Sequence, residues 1–232
     1  LRPDYVARLT SILDRADALG MVPILGFFYF GQDQRLEDEQ AVVRATETIT
    51  DWLVDNQYAN VIIEIANEVN HRKYQREIIR APRCHELIEL VKVRSRGKLD
   101  TPAGRLLVGA SMGGGAIPPE NIAAASDFIH GNGVEEPDRI RGMVDECRAL
   151  SGYHGQPILF NEDDHFDFDA EDNNMLAALD QYAGWGYFDF RMEGEGYAEG
   201  YQSVPVDWGI SSARKRGFFQ LLAEVTGVSL RE

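Results

Sequence analysis

The chain has 232 residues, enough for one sizeable core, and its apolar and charged fractions of 44% and 26% are those of an ordinary globular protein. Its formal net charge of −15 argues against nucleic-acid and anionic-membrane partners, which need basic patches, and disfavours a polyanionic substrate unless a local basic pocket overrules it. No run of 18 or more apolar residues occurs, so no membrane insertion is expected, and two cysteines, Cys84 and Cys147, make no disulfide framework.

In chain order, Tyr5, Leu9, Ile12, Leu13, Ala16 and Leu19 fall at helical spacing ahead of Gly20. Residues 21–30 (MVPILGFFYF) read as a buried strand that ends in aromatics, Phe28 among them. A helix at about 37–56 precedes Asn60-Val61-Ile62-Ile63-Glu64-Ile65-Ala66, where five of seven residues are apolar and four β-branched. Such a run suits a strand buried on both faces, as in a parallel sheet. It breaks into Asn67-Glu68-Val69-Asn70-His71. Residues 71–82 form a polar connection and 84–95 a helix. A strand at 105–111 ends in Met112-Gly113-Gly114-Gly115, and one at 126–130 ends in His130-Gly131-Asn132-Gly133. A helix at 137–150 leads to a strand at 156–160 and then Asn161-Glu162-Asp163-Asp164-His165. A helix at 170–183, a strand at 187–192 carrying Arg191, a loop with Tyr197, Tyr201 and Trp208, and a helix at 211–225 complete the chain.

Strands alternating with amphipathic helices give an α/β protein with a parallel sheet, and no linker or repeat divides residues 1–232, which read as a single catalytic domain. Five of the six strands end in polar or glycine-rich clusters, which gathers the chemistry on one rim, as in a (β/α)8 TIM-type barrel. A barrel needs eight strands, and the chain opens at Leu1 in a helix. The expectation is therefore a barrel lacking its first two strands, the visible ones being the third to the eighth. They would form an open arc whose apolar edges leave this piece poorly soluble or inactive by itself.

Glu68 and Glu162 each follow an asparagine at the carboxyl end of an apolar strand. Two such carboxylates facing one cavity suit glycoside hydrolysis, one as acid and base and the other as nucleophile. With these motifs the chain resembles the retaining glycoside hydrolases of the large (β/α)8 clan that includes many cellulases, mannanases and β-galactosidases. There the acid/base glutamate follows an asparagine on the fourth strand and the nucleophile ends the seventh. The resemblance implies Glu68 as acid/base, Glu162 as nucleophile, and Asn67 on the sugar 2-hydroxyl, with His130 near the nucleophile and Asn132 among the substrate-binding residues. It implies an oligo- or polysaccharide substrate, β-linked in the sense of the clan, no cofactor or metal, and a secreted or periplasmic location. Oligomeric state is left open. The clan's early-strand arginine is missing, so Arg191 or His130 would have to hold Glu162 ionised while the Glu68 pKa rises. Its strand-eight tryptophan is missing too, so Trp208, Tyr197 or Phe28 would supply the stacking face.

Other readings stay open. His71, His130 and His165 near Glu162 and Asp163 would suit a metal-dependent hydrolase on the same barrel. The acidic tract 161–174 could gather calcium or be a solvated loop. Gly113-Gly114-Gly115 could approach a phosphate or a sugar. A catalytically inactive carbohydrate-binding barrel is the reading from another class.

Overall fold

A computed structural model describes residues 1–132 and 136–228; Gly133, the last residue of the His130 cluster, lies outside them. Helix α1 (Pro3–Ala18) starts with proline in its first turn, where the missing N–H costs nothing, and carries Asp4 and Arg15 at the ends that favour their charges. Strand β1 (Ile24–Phe28) follows, then α2 (Glu39–Asp55), whose first turn is capped by Asp38 accepting from the Ala41 N–H at 2.7 Å. The apolar run becomes β2 (Ile62–Ala66), and α3 (Cys84–Ser95) coincides with its sequence expectation. Next come β3 (Leu107–Gly109), β4 (Ser111–Met112), the unanticipated short helix α4 (Glu120–Ala125), and β5 (Ile129–Asn132). Helix α5 (Pro137–Ala149), β6 (Ile158–Asp163), α6 (Asn174–Asp180), β7 (Gly184–Tyr187) and α7 (Ala213–Thr226) complete the order.

All strand pairings are parallel, in a three-stranded sheet β1-β2-β3 and a four-stranded sheet β4-β5-β6-β7. Only Ala110 separates β3 from β4. The Val69 N–H donates to the Ser111 carbonyl at 3.0 Å, and the Asp127 N–H to the Val108 carbonyl at 2.8 Å, so residues 107–112 serve both sheets. The result is six neighbouring lines of chain in sequence order. Among the described residues β1 and β7 each have one strand partner, and no closed eight-stranded barrel is present.

The sheet is curled. Glu64 on β2 and His130 on β5 are two lines apart, roughly 10 Å in a flat sheet, yet their Oε1 and Nδ1 atoms lie 3.5 Å apart. Pairing puts Gly26, Glu64 and Gly109 in register on one face. The alternate residues, Leu25, Ile63 and Val108, join a core with Val42 and Leu53 of α2 and Ile88 and Val91 of α3. A second core joins β5 and β6 to α5 and α6 through Ile129, Ile140, Met143, Phe160 and Ala177. The described helices include none long and apolar enough to cross a membrane.

Two expected elements are displaced. The last strand lies at Gly184–Tyr187 rather than 187–192, so Arg191 is in a loop and not on a strand. Its glycines are sites of close approach. A Cβ at Gly184 would come 3.0 Å from Leu159, and one at Gly186 3.2 Å from the Asn161 backbone. The chain leaves the sheet after Tyr187 because Asp189 turns to an ion pair with Arg214 at 2.8 Å. Helix α6 is also shorter than expected. It begins where Asn173 caps it by accepting from the Leu176 N–H, which leaves the preceding acidic tract as loop.

Candidate active site

The carboxyl ends of the strands converge. Glu68 leaves β2 with φ of +52°, a left-handed conformation uncommon for a non-glycine residue and often found at working sites. Its N–H donates to the Ser111 hydroxyl at 2.7 Å, and its carbonyl accepts from the His71 N–H at 2.7 Å. Its side chain lies on Gly113: a Cβ built there would sit 2.8 Å from Glu68 Cγ. Asn70 fixes that glycine by bonding both its N–H and its carbonyl at 3.0 Å. Glycine at 113 is therefore a requirement of space. Gly113→Ala should leave the fold intact but push Glu68 aside and lower activity by about 10²-fold, the cost of a misplaced group. Unchanged kcat/KM in that variant would show that Glu68 does not act from this position.

Asn67 is buried. Its side-chain oxygen lies 3.4 Å from Asn132 Nδ2 and 3.5 Å from the Ser111 hydroxyl, and its carbonyl accepts from Tyr74 at 2.7 Å. The structure thus brings Asn67 and Asn132 together. His130, also buried, is bonded through Nε2 to Asn161 Oδ1. Burial pushes its pKa down to about 4, against the raising effect of the Asn161 bond, so the imidazole is neutral. The bond to an amide oxygen places its proton on Nε2 and leaves Nδ1 an acceptor.

Among the described residues that Nδ1 has no hydrogen-bond partner; it faces Glu64 Oε1, which has none there either. Glu64 sits inside β2, and burial raises its pKa; the Ser111 hydroxyl opposes that rise and the Glu68 charge adds to it. A protonated Glu64 would donate to His130 Nδ1 and satisfy both buried atoms. The sequence reading passed over Glu64. The available signal was a carboxylate in the middle of the most apolar strand, where burial demands a partner.

Glu162 pairs in register with Asn132 across a bulge at the end of β6. Its pKa is pushed up to about 7, by burial first and then by the negative charges of Glu64 and Glu68. The same two rim carboxylates, Glu162 and Glu68, raise the Tyr29 phenol after burial does, which puts Tyr29 at the mouth of the same site. The expectation that a cation holds Glu162 ionised is corrected. His130 is neutral and turned to Asn161, while the Arg191 guanidinium donates to the carbonyls of Ser203 and Pro205 and lies over Tyr197.

The remaining aromatic candidates are dispersed. Trp208 is 69% exposed and stacks on Tyr201 at 6.3 Å, and Phe28 packs against the core around β1. The histidines do not gather either. His71 stacks on Phe30 at 3.9 Å, and His165 is bound through Nδ1 to Asp163 at 2.6 Å. The described residues contain one group of three potential metal donors within 4.8 Å, Asp163, Asp164 and His165. Both Asp163 oxygens are already engaged, one by His165 and the other by Asn174 and Trp185.

Comparison of the chain with known protein families, with curated proteins and with solved structures finds no match.

Proposed function

We propose that this chain is a retaining glycoside hydrolase with the architecture of a TIM-type barrel, in which Glu68 is the acid/base and Glu162 the nucleophile. The observation that carries the reading is the convergence of these two carboxylates, from the ends of β2 and β6, on one rim with a buried asparagine beside each. Asn67, next to Glu68 and tied to Asn132, is placed to meet a sugar hydroxyl. The negative charge of Glu68 adds to the rise in the Glu162 pKa, as expected when two carboxyl groups share one rim. The substrate is an oligo- or polysaccharide.

A second reading is favoured by one fact. A carboxyl group pushed up to about 7 is the group that holds a proton near neutrality, which suits Glu162 as the acid. An activated aryl β-glycoside separates the two, because its leaving group needs no proton. With Glu162 as nucleophile, kcat/KM should rise about tenfold per pH unit up to a bend near 7 and then stay level. A profile on this substrate with no bend near 7 would remove Glu162 from the nucleophile's role. A parallel loss above 7 on an unactivated glycoside would give it the acid's role. No hydrolysis of any glycoside would leave the inactive carbohydrate-binding barrel.

A further inference from the structure

On the rim that carries Glu68 a cavity of about 620 Å3 opens between the loop that follows β1 and the loop that follows Glu68. Its charged lining is entirely basic, Arg35, Arg72 and Lys73, joined by Tyr29, Phe30 and the amide side chains of glutamines. In a chain of net charge −15 a cavity without a single carboxylate in its wall is unexpected on composition. Among the described residues, none of the three cations has a carboxylate within 4.0 Å. The opposite flank, after Glu162, is lined by Asp164, Asp167 and Asp169, so the rim is polarised from basic to acidic.

The basic flank is held in shape. The carboxylate of Asp33, itself 2% exposed, accepts from the N–H groups of Gln75 and Arg76, both at 2.7 Å, and so ties one loop to the other. Arg76 completes the tie by donating to the carbonyls of Leu36 and Glu37. Gly31, with φ of +74°, turns the first loop, and the Lys73 ammonium sits 5.7 Å from the centre of the Phe30 ring. Cations beside an aromatic wall match a sugar that carries a negative group: the exposed Tyr29 ring provides an apolar face, and guanidinium pairs with carboxylate or sulfate through charge-assisted bonds.

We infer that this cavity is a subsite for the anionic group of an acidic sugar residue, a uronic carboxylate or a sulfate ester, adjoining the point of cleavage. In naming the substrate class this rests on the glycosidase reading. Binding and turnover therefore have to be measured separately.

Calorimetric titration of the Glu162→Gln protein, in which nothing is cleaved, would compare an oligouronate, its carboxyl-reduced counterpart and a sulfated neutral oligosaccharide. At least one acidic ligand is expected to bind about tenfold or more tighter than the reduced one. That advantage should shrink as added salt shortens the Debye length from about 10 Å to about 3 Å. It should vanish in a background carrying Arg72→Gln and Lys73→Gln, exposed positions whose loss leaves thermal unfolding unchanged. Uronate and sulfate arms identify the source of the charge. The inference fails if no acidic ligand is preferred over the reduced one, if none binds, or if the preference survives the double substitution. Turnover of neutral and acidic aryl glycosides by the unmodified protein is the separate arm. Preference without cleavage overturns only the glycosidase reading, and cleavage without preference overturns only the subsite.

Discussion

Replacing Glu162 by glutamine should abolish turnover and, at the same time, stabilise the fold above neutral pH. As nucleophile, Glu162 forms the bond to the sugar that an amide cannot form, so kcat should fall by roughly 10³-fold or more on every substrate. Glu68→Gln should behave differently, with a large loss on glycosides whose leaving group needs a proton and a small one on activated aryl glycosides. Equal losses on both would count against Glu68 as the acid. The stability effect follows from the raised pKa. Between its ordinary value of 4.5 and about 7, Glu162 holds a proton in the folded chain and none in the unfolded one. Stability is then fully present below 4.5 and is lost as pH rises through 7. Glutamine cannot ionise, so the variant should match the parent near pH 4 and exceed it by pH 8. With water reaching part of the group, the gain is on the order of 2 kcal/mol, or about 4–8 °C in Tm for a chain of this size. Thermal melts across that range check the sign. A variant less stable than the parent at pH 8 would show that Glu162 makes a favourable contact as the anion.

Arg214→Ala should cost about 3–5 kcal/mol, the penalty for stripping the partner from buried charge. Arg214 is the hub of the long segment between β7 and α7. Its guanidinium meets Asp189 at 2.8 Å, Glu195 at 2.7 Å and Glu199 at 2.9 Å, and donates to the Phe190 carbonyl at 3.0 Å. The Asp189 side chain is 1% exposed and the Arg214 side chain 6%, so neither is well served by water. Without the cation three carboxylates remain close together, and the segment that carries Arg191 and Trp208 should detach first. The neighbouring Lys215, fully buried, holds the same segment by donating to the Asp207 carbonyl at 2.8 Å, 3.8 Å from the Tyr201 ring centre. Limited proteolysis should cut within residues 190–210 in the variant before global unfolding, with Tm lowered by roughly 10 °C. Arg214→Lys should fall between, since an ammonium carries the charge but lacks the fork that reaches three acids. A melt within about 2 °C of the parent, the effect of about 1 kcal/mol or less, would show that the cluster is not needed for the fold.

Much of this architecture was legible in the sequence. Local pattern marked the helices: apolar residues at helical spacing ahead of Gly20 announced α1, and the runs at 37–56, 84–95, 137–150 and 211–225 announced α2, α3, α5 and α7. The β-branched run at 61–66 announced a parallel strand buried on both faces, and the polar cluster after it announced the rim. Those signals lie within a few residues of one another, so propensity and pattern suffice to read them. What lay beyond them depended on groups far apart in the chain. Gly184 and Gly186 fall outside the expected strand because nothing nearby in sequence reveals that Leu159 and the Asn161 backbone press against them. Glu64 drew no reading from the sequence, because His130, which it faces in space, is 66 positions away (130 − 64). Protonation belonged wholly to the tertiary structure. The composition names the carboxylates, but only folding sets how much water each loses and which charges it faces. That is why Glu162, expected to be ionised, is pushed up to about 7, while His130 is neutral. The basic cavity is the same kind of fact. Arg35 and Lys73 are ordinary surface residues in the sequence, and the buried Asp33 carboxylate brings their loops together in space.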